Sequence, residues 1–254
     1  MKKTIGFIGG GRITRIFLQA FQNKGFFPEK IVVFDISKDV LLALQLKFPT
    51  VKVSTLGDAA SQDIVFIALH PPVILDTLEQ VKGNIKEGSC VISLAPKITM
   101  EKISAKLNGL RNVSRMIPNA TSCINKGYNP VCFSKEFSER ESILEMLKLL
   151  GDTFITEESK LEAYAIASAM LPTYFWFQWK ELQQIGTKLG LNESEARETV
   201  EKTLTATIET LYHSGLKYEE VLDLIPVKPI AAHEPQIKEI LSNTLNALFE
   251  KIKP

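Results

Sequence analysis

Three consecutive glycines, Gly9, Gly10 and Gly11, separate the short apolar run Ile5–Ile8 from a stretch carrying Ile13, Ile16, Phe17, Ala20 and Phe21. The first run suits a buried strand, and the spacing of the second puts its apolar residues on one face of a helix. A glycine-rich turn from strand to helix is a place where backbone amides and a helix N-terminus can receive an anion. Here Gly9 would permit the tight turn and Gly11 the close approach of a dinucleotide pyrophosphate, with Arg12 and Ile13 at the same edge. The third position of the GxGxxG pattern falls on Thr14, so the form is GxGxxT. Asp35 closes the second apolar run, KIVVFDI, about 24 residues after Gly11, near the spacing for a carboxylate that binds adenosine ribose hydroxyls. An Asp or Ser there can also cap the next helix, as Asp35 or Ser37 would. The expected cofactor is NADP or NAD. Asp35 favours NAD by repelling a 2′-phosphate, whereas Arg12 and Lys38 offer phosphate contacts.

These residues need a parallel sheet beneath them, and the sequence supplies its elements. KIVVFDI, VKVST, DIVFIAL and SCVISLA read as further strands, and KDVLLALQLKF, PVILDTLEQVKGNI and TMEKISAKLN as the helices between. Such alternation predicts an α/β fold, a doubly wound parallel sheet with helices on both faces. RNVSRMIPNA and NPVCFS are expected to add edge strands. After residue 155 the strand signals give way to helical periodicity, which predicts a Rossmann domain over 1–155 and an all-helical domain over 156–254. The helical run is broken near Pro172 and again at KLGLNESEA, where Asn192 and Glu195 make a capping box. A last helix is expected from about Gln236 to Ile252. The segment from Leu161 to Gly186 is apolar all round, with Tyr164, Tyr174, Phe175, Trp176, Phe177 and Trp179. A helix of that kind must be covered on every side, so a subunit interface, hence a homodimer or higher homo-oligomer, is inferred, with a substrate-cavity wall as a compatible alternative.

Composition sets outer limits. The 254 residues are 45% hydrophobic and 23% charged with a net charge of +1, so nucleic acid is not an expected partner. Cys90, Cys123 and Cys132 lack paired spacing, which argues for free thiols over a disulfide framework or a metal site. No apolar stretch reaches membrane-spanning length, and the first strand follows the N-terminus too closely for a signal peptide. A cytoplasmic location is expected, with no membrane partner.

Several segments together resemble the pyrroline-5-carboxylate reductase family. IGFIGGGRI is similar to the family's opening IGFIGxGxM, DIVFIALHPP to its fourth strand end, SRMIPNATSCINKG to its R-x-M-P-N-T-P segment, and KLGLNESEARE to a later helix start. The likeness runs from Lys3 to about Ile252. It implies a Rossmann domain followed by a helical dimerisation domain. It also implies reduction of a cyclic imine, pyrroline-5-carboxylate, to proline by NAD(P)H. By that resemblance Gly9, Gly11, Arg12 and Ile13 face the pyrophosphate and Asp35, Ser37 and Lys38 the adenosine end. Ala68, Leu69, His70, Pro71, Ala95 and Asn119 flank the ribose and nicotinamide.

The departures gather where the substrate would bind. The family's S-G-S-G-P-A-Y motif reads Ser168-Ala169-Met170-Leu171-Pro172-Thr173-Tyr174, and its S-P-G-G-T-T reads Lys228-Pro229-Ile230-Ala231-Ala232-His233. Ser168, Pro172, Thr173 and His233 are the expected substrate contacts. The family's Lys before the proline of the fourth strand end is His70. Both histidines are catalytic candidates because imidazole titrates near neutral pH and can donate a proton or bind an anion. Surface packing is the other reading for each, and His213 looks like surface. No two histidines share a ligand spacing, so no metal is expected. Taken together, the residues imply an NAD(P)H-dependent reductase of a C=N or C=O bond in a small anionic substrate. The alternative is a dinucleotide-binding or sensing protein that has lost reductase activity.

Overall fold

The computed structural model describes residues 3–254, and they form two compact units, 3–170 with 248–254, and 171–247. The first unit is built on an eight-stranded sheet in the order β3-β2-β1-β4-β5-β6-β7-β8. Its strands are β1 (Thr4–Ile8), β2 (Lys30–Phe34), β3 (Lys52–Val53), β4 (Ile64–Ile67), β5 (Cys90–Ser93), β6 (Val113–Met116), β7 (Gly127–Phe133) and β8 (Gly151–Ile155). All neighbours pair parallel except β6 and β7. The strand order reverses between β1 and β4, the switch point at which doubly wound sheets open a crevice at their carboxyl edge.

The strands are apolar on both sides because both sides are covered. Ile5, Phe7, Ile64 and Phe66 enter one core cluster, and Ile8, Val65 and Ile67 the other. On the first face Phe7 stacks on Phe66 with ring centroids 4.8 Å apart. Phe17 of helix α1 (Arg12–Asn23) meets Phe66 edge-on at 5.1 Å. These rings lock α1 against β1 and β4 and so fix where its N-terminus ends. The second face is closed by α4 (Pro71–Val81) and α5 (Met100–Lys106), through Ile74, Leu78, Val81 and Ile103. Between α1 and α4 in sequence lie α2 (Lys38–Lys47) and the short α3 (Leu56–Ala60), and α6 (Arg140–Leu147) precedes β8.

Two expectations are corrected. The strands expected at the sheet's edge, β6 and β7, are interior; β3 and β8 are the edges. The boundary expected at 155 lies later, after Met170. Helix α7 (Leu161–Tyr164) and the π-helical turn Ala165–Ala169 pack on the sheet unit, where Leu161 and Ala165 join Ile117, Cys132 and Ile252.

The second unit is α8 (Leu171–Lys188), α9 (Glu193–His213), α10 (Tyr218–Asp223) and most of α11 (Glu234–Ile252). Asn192 Oδ1 accepts from Glu195 N–H at 3.0 Å and Asn192 N–H donates to Glu195 Oε2 at 2.8 Å, the expected capping box. The unit has almost no interior: Ala196 is its one buried residue among those described. Among the described residues, no helix is long and apolar enough to cross a membrane.

Candidate functional site

The loop from β1 to α1 is held from below. Gly9 N–H donates to Phe34 O at 2.8 Å, and Ala68 N–H donates to Ile8 O at 2.8 Å. Gly9 has φ +105°, and a Cβ there would lie 2.4 Å from Ala68 O, so the turn and its packing on β4 both require glycine. Thr14, which stands in the third motif position, is fully buried, and its hydroxyl donates to Gly9 O at 2.5 Å. The departure from glycine therefore adds a bond that closes the turn. Asp35 ties the loop to the end of β2: one carboxylate oxygen accepts Gly10 N–H at 2.7 Å and the other Ser37 N–H at 2.8 Å. Ser37 caps α2, its hydroxyl accepting Val40 N–H at 3.3 Å. Asp35 thus braces the glycine loop against the end of β2.

Gly11 differs from Gly9. Its backbone is extended, with φ −71° and ψ −154°, and a Cβ there would meet nothing within 4 Å. The protein itself does not need glycine at 11; the space beside it is open. Gly11 is also the N-cap of α1, with no side-chain cap and no acidic residue in the first turn. The first-turn amides have no intrahelical partners. Open space in front of unopposed amides at a helix N-terminus fits a pyrophosphate.

The remaining expected cofactor contacts lie along the same carboxyl edge of the sheet. Ala68 and Leu69 follow β4 and are half-buried; His70 is the exposed N-cap residue of α4, with Pro71 at its first position. Arg12 and Lys38 are exposed, and Ile36, between Asp35 and Ser37, is 93% exposed. Ala95 is buried past β5, and its carbonyl accepts Arg115 Nη2 at 3.4 Å. Asn119, after β6, is also buried. Its amide donates to Ser168 O at 3.0 Å and to Ser168 Oγ at 3.2 Å, and Ser168 Oγ donates to Tyr128 O at 3.1 Å. Asn119 and Ser168 therefore bond to each other, fastening the π-helical turn to the sheet. Pro172, Thr173 and His233 belong to the second unit, His233 exposed on the 3-10 turn Ala231–His233.

One functional group of residues has no forecast in the sequence reading. Arg115, wholly buried on β6, donates to Glu158 Oε1 at 3.0 Å and to Glu162 Oε1 at 2.5 Å. The same carboxylates accept backbone amides of the β5–α5 loop, Glu162 from Lys97 at 3.0 Å and Glu158 from Met100 at 2.7 Å. The cluster shapes that loop, and it holds Lys97 at φ +78°. The left-handed region costs a non-glycine residue about 1–2 kcal/mol. An Arg inside an otherwise apolar strand was the available signal, since a buried guanidinium must be paired. Cys90 and Cys132 are buried free thiols, and burial pushes both up in pKa, Cys132 to about 12.

Comparison with known proteins agrees with this geometry. The family model described as "NADP oxidoreductase coenzyme F420-dependent" matches residues 4–97. Pyrroline-5-carboxylate reductase 2 of Bacillus subtilis is 26% identical over 226 residues, covering 86% of this chain and 80% of that protein. The chain resembles the pyrroline-5-carboxylate reductases. The enzyme of that name from Haemophilus influenzae is 23% identical over 205 residues, covering 80% of this chain and 76% of its own. The fold is that of the Plasmodium falciparum pyrroline carboxylate reductase solved with NADP bound, at TM-score 0.84 and 20% identity, with 100% of this chain and 98% of that one covered. The likeness to these pyrroline-5-carboxylate reductases, which are NAD(P)-dependent oxidoreductases, thus extends past the dinucleotide half into the helical one.

Proposed function

We propose that this protein is an NAD(P)H-dependent reductase of a C=N or C=O bond in a small carboxylated compound, with a cyclic imine of the pyrroline-5-carboxylate kind as the foremost candidate. The observation that carries the reading is the open space at Gly11, before the unopposed amides of α1. When bound, the reduced nicotinamide supplies the hydride. The chain's residues do the rest. Gly9, Gly11, Arg12 and Ile13 receive the pyrophosphate; Asp35, Ser37 and Lys38 meet the adenosine end. Ala68, Leu69, His70, Pro71, Ala95 and Asn119 line the nicotinamide side.

For the substrate the reading takes Ser168, Pro172, Thr173 and His233. An imidazole N–H of His70 or His233 delivers the proton to the imine nitrogen or carbonyl oxygen. Where the reductases it resembles carry glycine and threonine, the chain has Ile230, Ala231, Ala232 and His233. Hydroxyl donors are lost and one imidazole is gained, so the accepted substrate is expected to differ in detail.

The same reading makes the second unit a dimerisation domain. Support comes from its lack of an interior and from Trp176, Phe177 and Leu182, each about half exposed or more. A groove of about 920 Å³ between α9, α10 and α11 adds to it, lined by Leu211, Tyr218, Leu222, Ile225 and Ile237 among others. Covering such surface contributes roughly 25 cal/mol per Å². Thermal unfolding with NADPH, NADH and neither tests the cofactor half of the proposal. A rise in midpoint with one of the reduced dinucleotides is expected, and no rise with either would count against it.

A further inference from the structure

Among the described residues, three that are not glycine hold a left-handed backbone: Asn108, Asn125 and Lys97. Asparagine tolerates that region. Asn125 also has a structural reason to be there, since its side-chain amide donates to Ala20 O at 2.9 Å and Leu149 O at 2.6 Å. Lys97 has neither excuse. A lysine side chain makes no local bond that favours the left-handed region, and glycine would adopt φ +78° without strain. The conformation is imposed from outside, by the Arg115–Glu158–Glu162 cluster through the bond from Lys97 N–H to Glu162. Strain that the surroundings enforce at a non-glycine residue is characteristic of functional positions.

The side chain carries no structural duty. Lys97 is exposed, and its ammonium makes no ion pair or hydrogen bond within the described residues. Its place in the fold selects among ligands. It follows β5, at the carboxyl edge of the sheet and beyond β4 from the switch point. The adenosine end lies on the other side of that point, past β2, where Asp35 and Ser37 stand. A cation held past β5 therefore stands on the nicotinamide side, where the compound to be reduced has to sit.

From these observations we infer that Lys97 is the cation that receives the carboxylate of the substrate. The inference rests on the reductase reading and deepens it: Glu162, held by Arg115, sets the backbone that carries the residue, and the ammonium supplies the charge that meets a carboxylate. It makes charge, not ring shape, the feature that Lys97 recognises.

The test compares pyrroline-5-carboxylate with 1-pyrroline, the same imine ring without the carboxylate. In Lys97→Met, KM for pyrroline-5-carboxylate should rise at least tenfold, while KM for 1-pyrroline and the NADPH Kd stay within twofold. Lys97→Arg should restore most of the loss. Lys97→Gly should show the same KM rise with a higher unfolding midpoint, because the strain is relieved while the charge is lost. An unchanged KM in Lys97→Met, or equal rises for both imines, would overturn the inference and leave the reductase reading intact. A binding measurement covers the case of no turnover. Calorimetric titration of the NADP-loaded protein with L-proline and with L-prolinamide should show proline alone weakened tenfold or more by Lys97→Met. Proline binding that is absent in the natural protein, or equal in the variant, would overturn it. Failure of the natural protein to oxidise NADPH with any imine counts instead against the reductase reading.

Discussion

Replacing Gly11 by valine separates binding from folding, because the structure gives the two glycines of the motif opposite reasons to exist. At Gly11 the extended backbone accepts any L-residue and a Cβ meets no protein atom within 4 Å. Gly11 is the N-cap of α1 and valine is a poorer cap residue, so Gly11→Val is expected to cost about 1 kcal/mol and still fold. The added isopropyl group occupies the space in front of the amides of Arg12 and Ile13. A hydrogen bond to a charged group is worth about 1.5–3 kcal/mol. Loss of two such bonds weakens NADPH binding by about 3–6 kcal/mol, a Kd increase of roughly 10² to 10⁴. Gly9→Ala should behave in the opposite way and fail to fold, since φ is +105° and the new Cβ would lie 2.4 Å from Ala68 O. NADPH titration by fluorescence, with unfolding midpoints for each variant, makes the comparison. A folded Gly11→Val protein with the natural Kd would refute the reasoning.

Three further outcomes follow from the structure. Arg115→Met leaves Glu158 and Glu162 without their cation and should destabilise the protein by about 3–5 kcal/mol, read as a drop in denaturant midpoint; a drop under 1 kcal/mol would show the cluster to be dispensable. Hydrogen bonds from Ser54 and then Lys52 hold the Asp58 carboxyl at about 2 against its ordinary 3.8. A lowered carboxyl stabilises the fold above 3.8 and loses that contribution as pH falls toward 2, so Asp58→Asn should flatten the stability–pH curve across that window; parallel curves would contradict the assignment. Light scattering at micromolar concentration should report a dimer or larger assembly, with a stable monomer as the contrary result.

What the sequence made legible was what local chemistry determines. β1, β2, β4 and β5 are short β-branched runs buried on both faces, and the glycine turn sits between two such signals. The strand β8 escaped notice because GDTFI is half-exposed and carries Asp152 within its pairing with β7. Helices α3 and α10, of five and six residues, are too short to show a period. The domain boundary was misplaced because the turns after β8 read as the start of the helical half, whereas Glu158 and Glu162 bind them to Arg115 in the sheet. At the site, the place of Gly11 between a strand and a helix was readable from its neighbours. The bonds from Asn119 to Ser168 and from Lys97 N–H to Glu162 join residues 49 and 65 positions apart, and no local pattern announces them.

The central claim, reduction of a small carboxylated imine or ketone with NAD(P)H, is tested most directly by following oxidation of NADPH and NADH with a panel of cyclic imino acids and 2-oxo acids. The account predicts turnover with at least one carboxylated compound, lost in Gly11→Val. Binding of the reduced dinucleotide without turnover of any compound in the panel would contradict it, and would describe a dinucleotide-binding protein in place of a reductase.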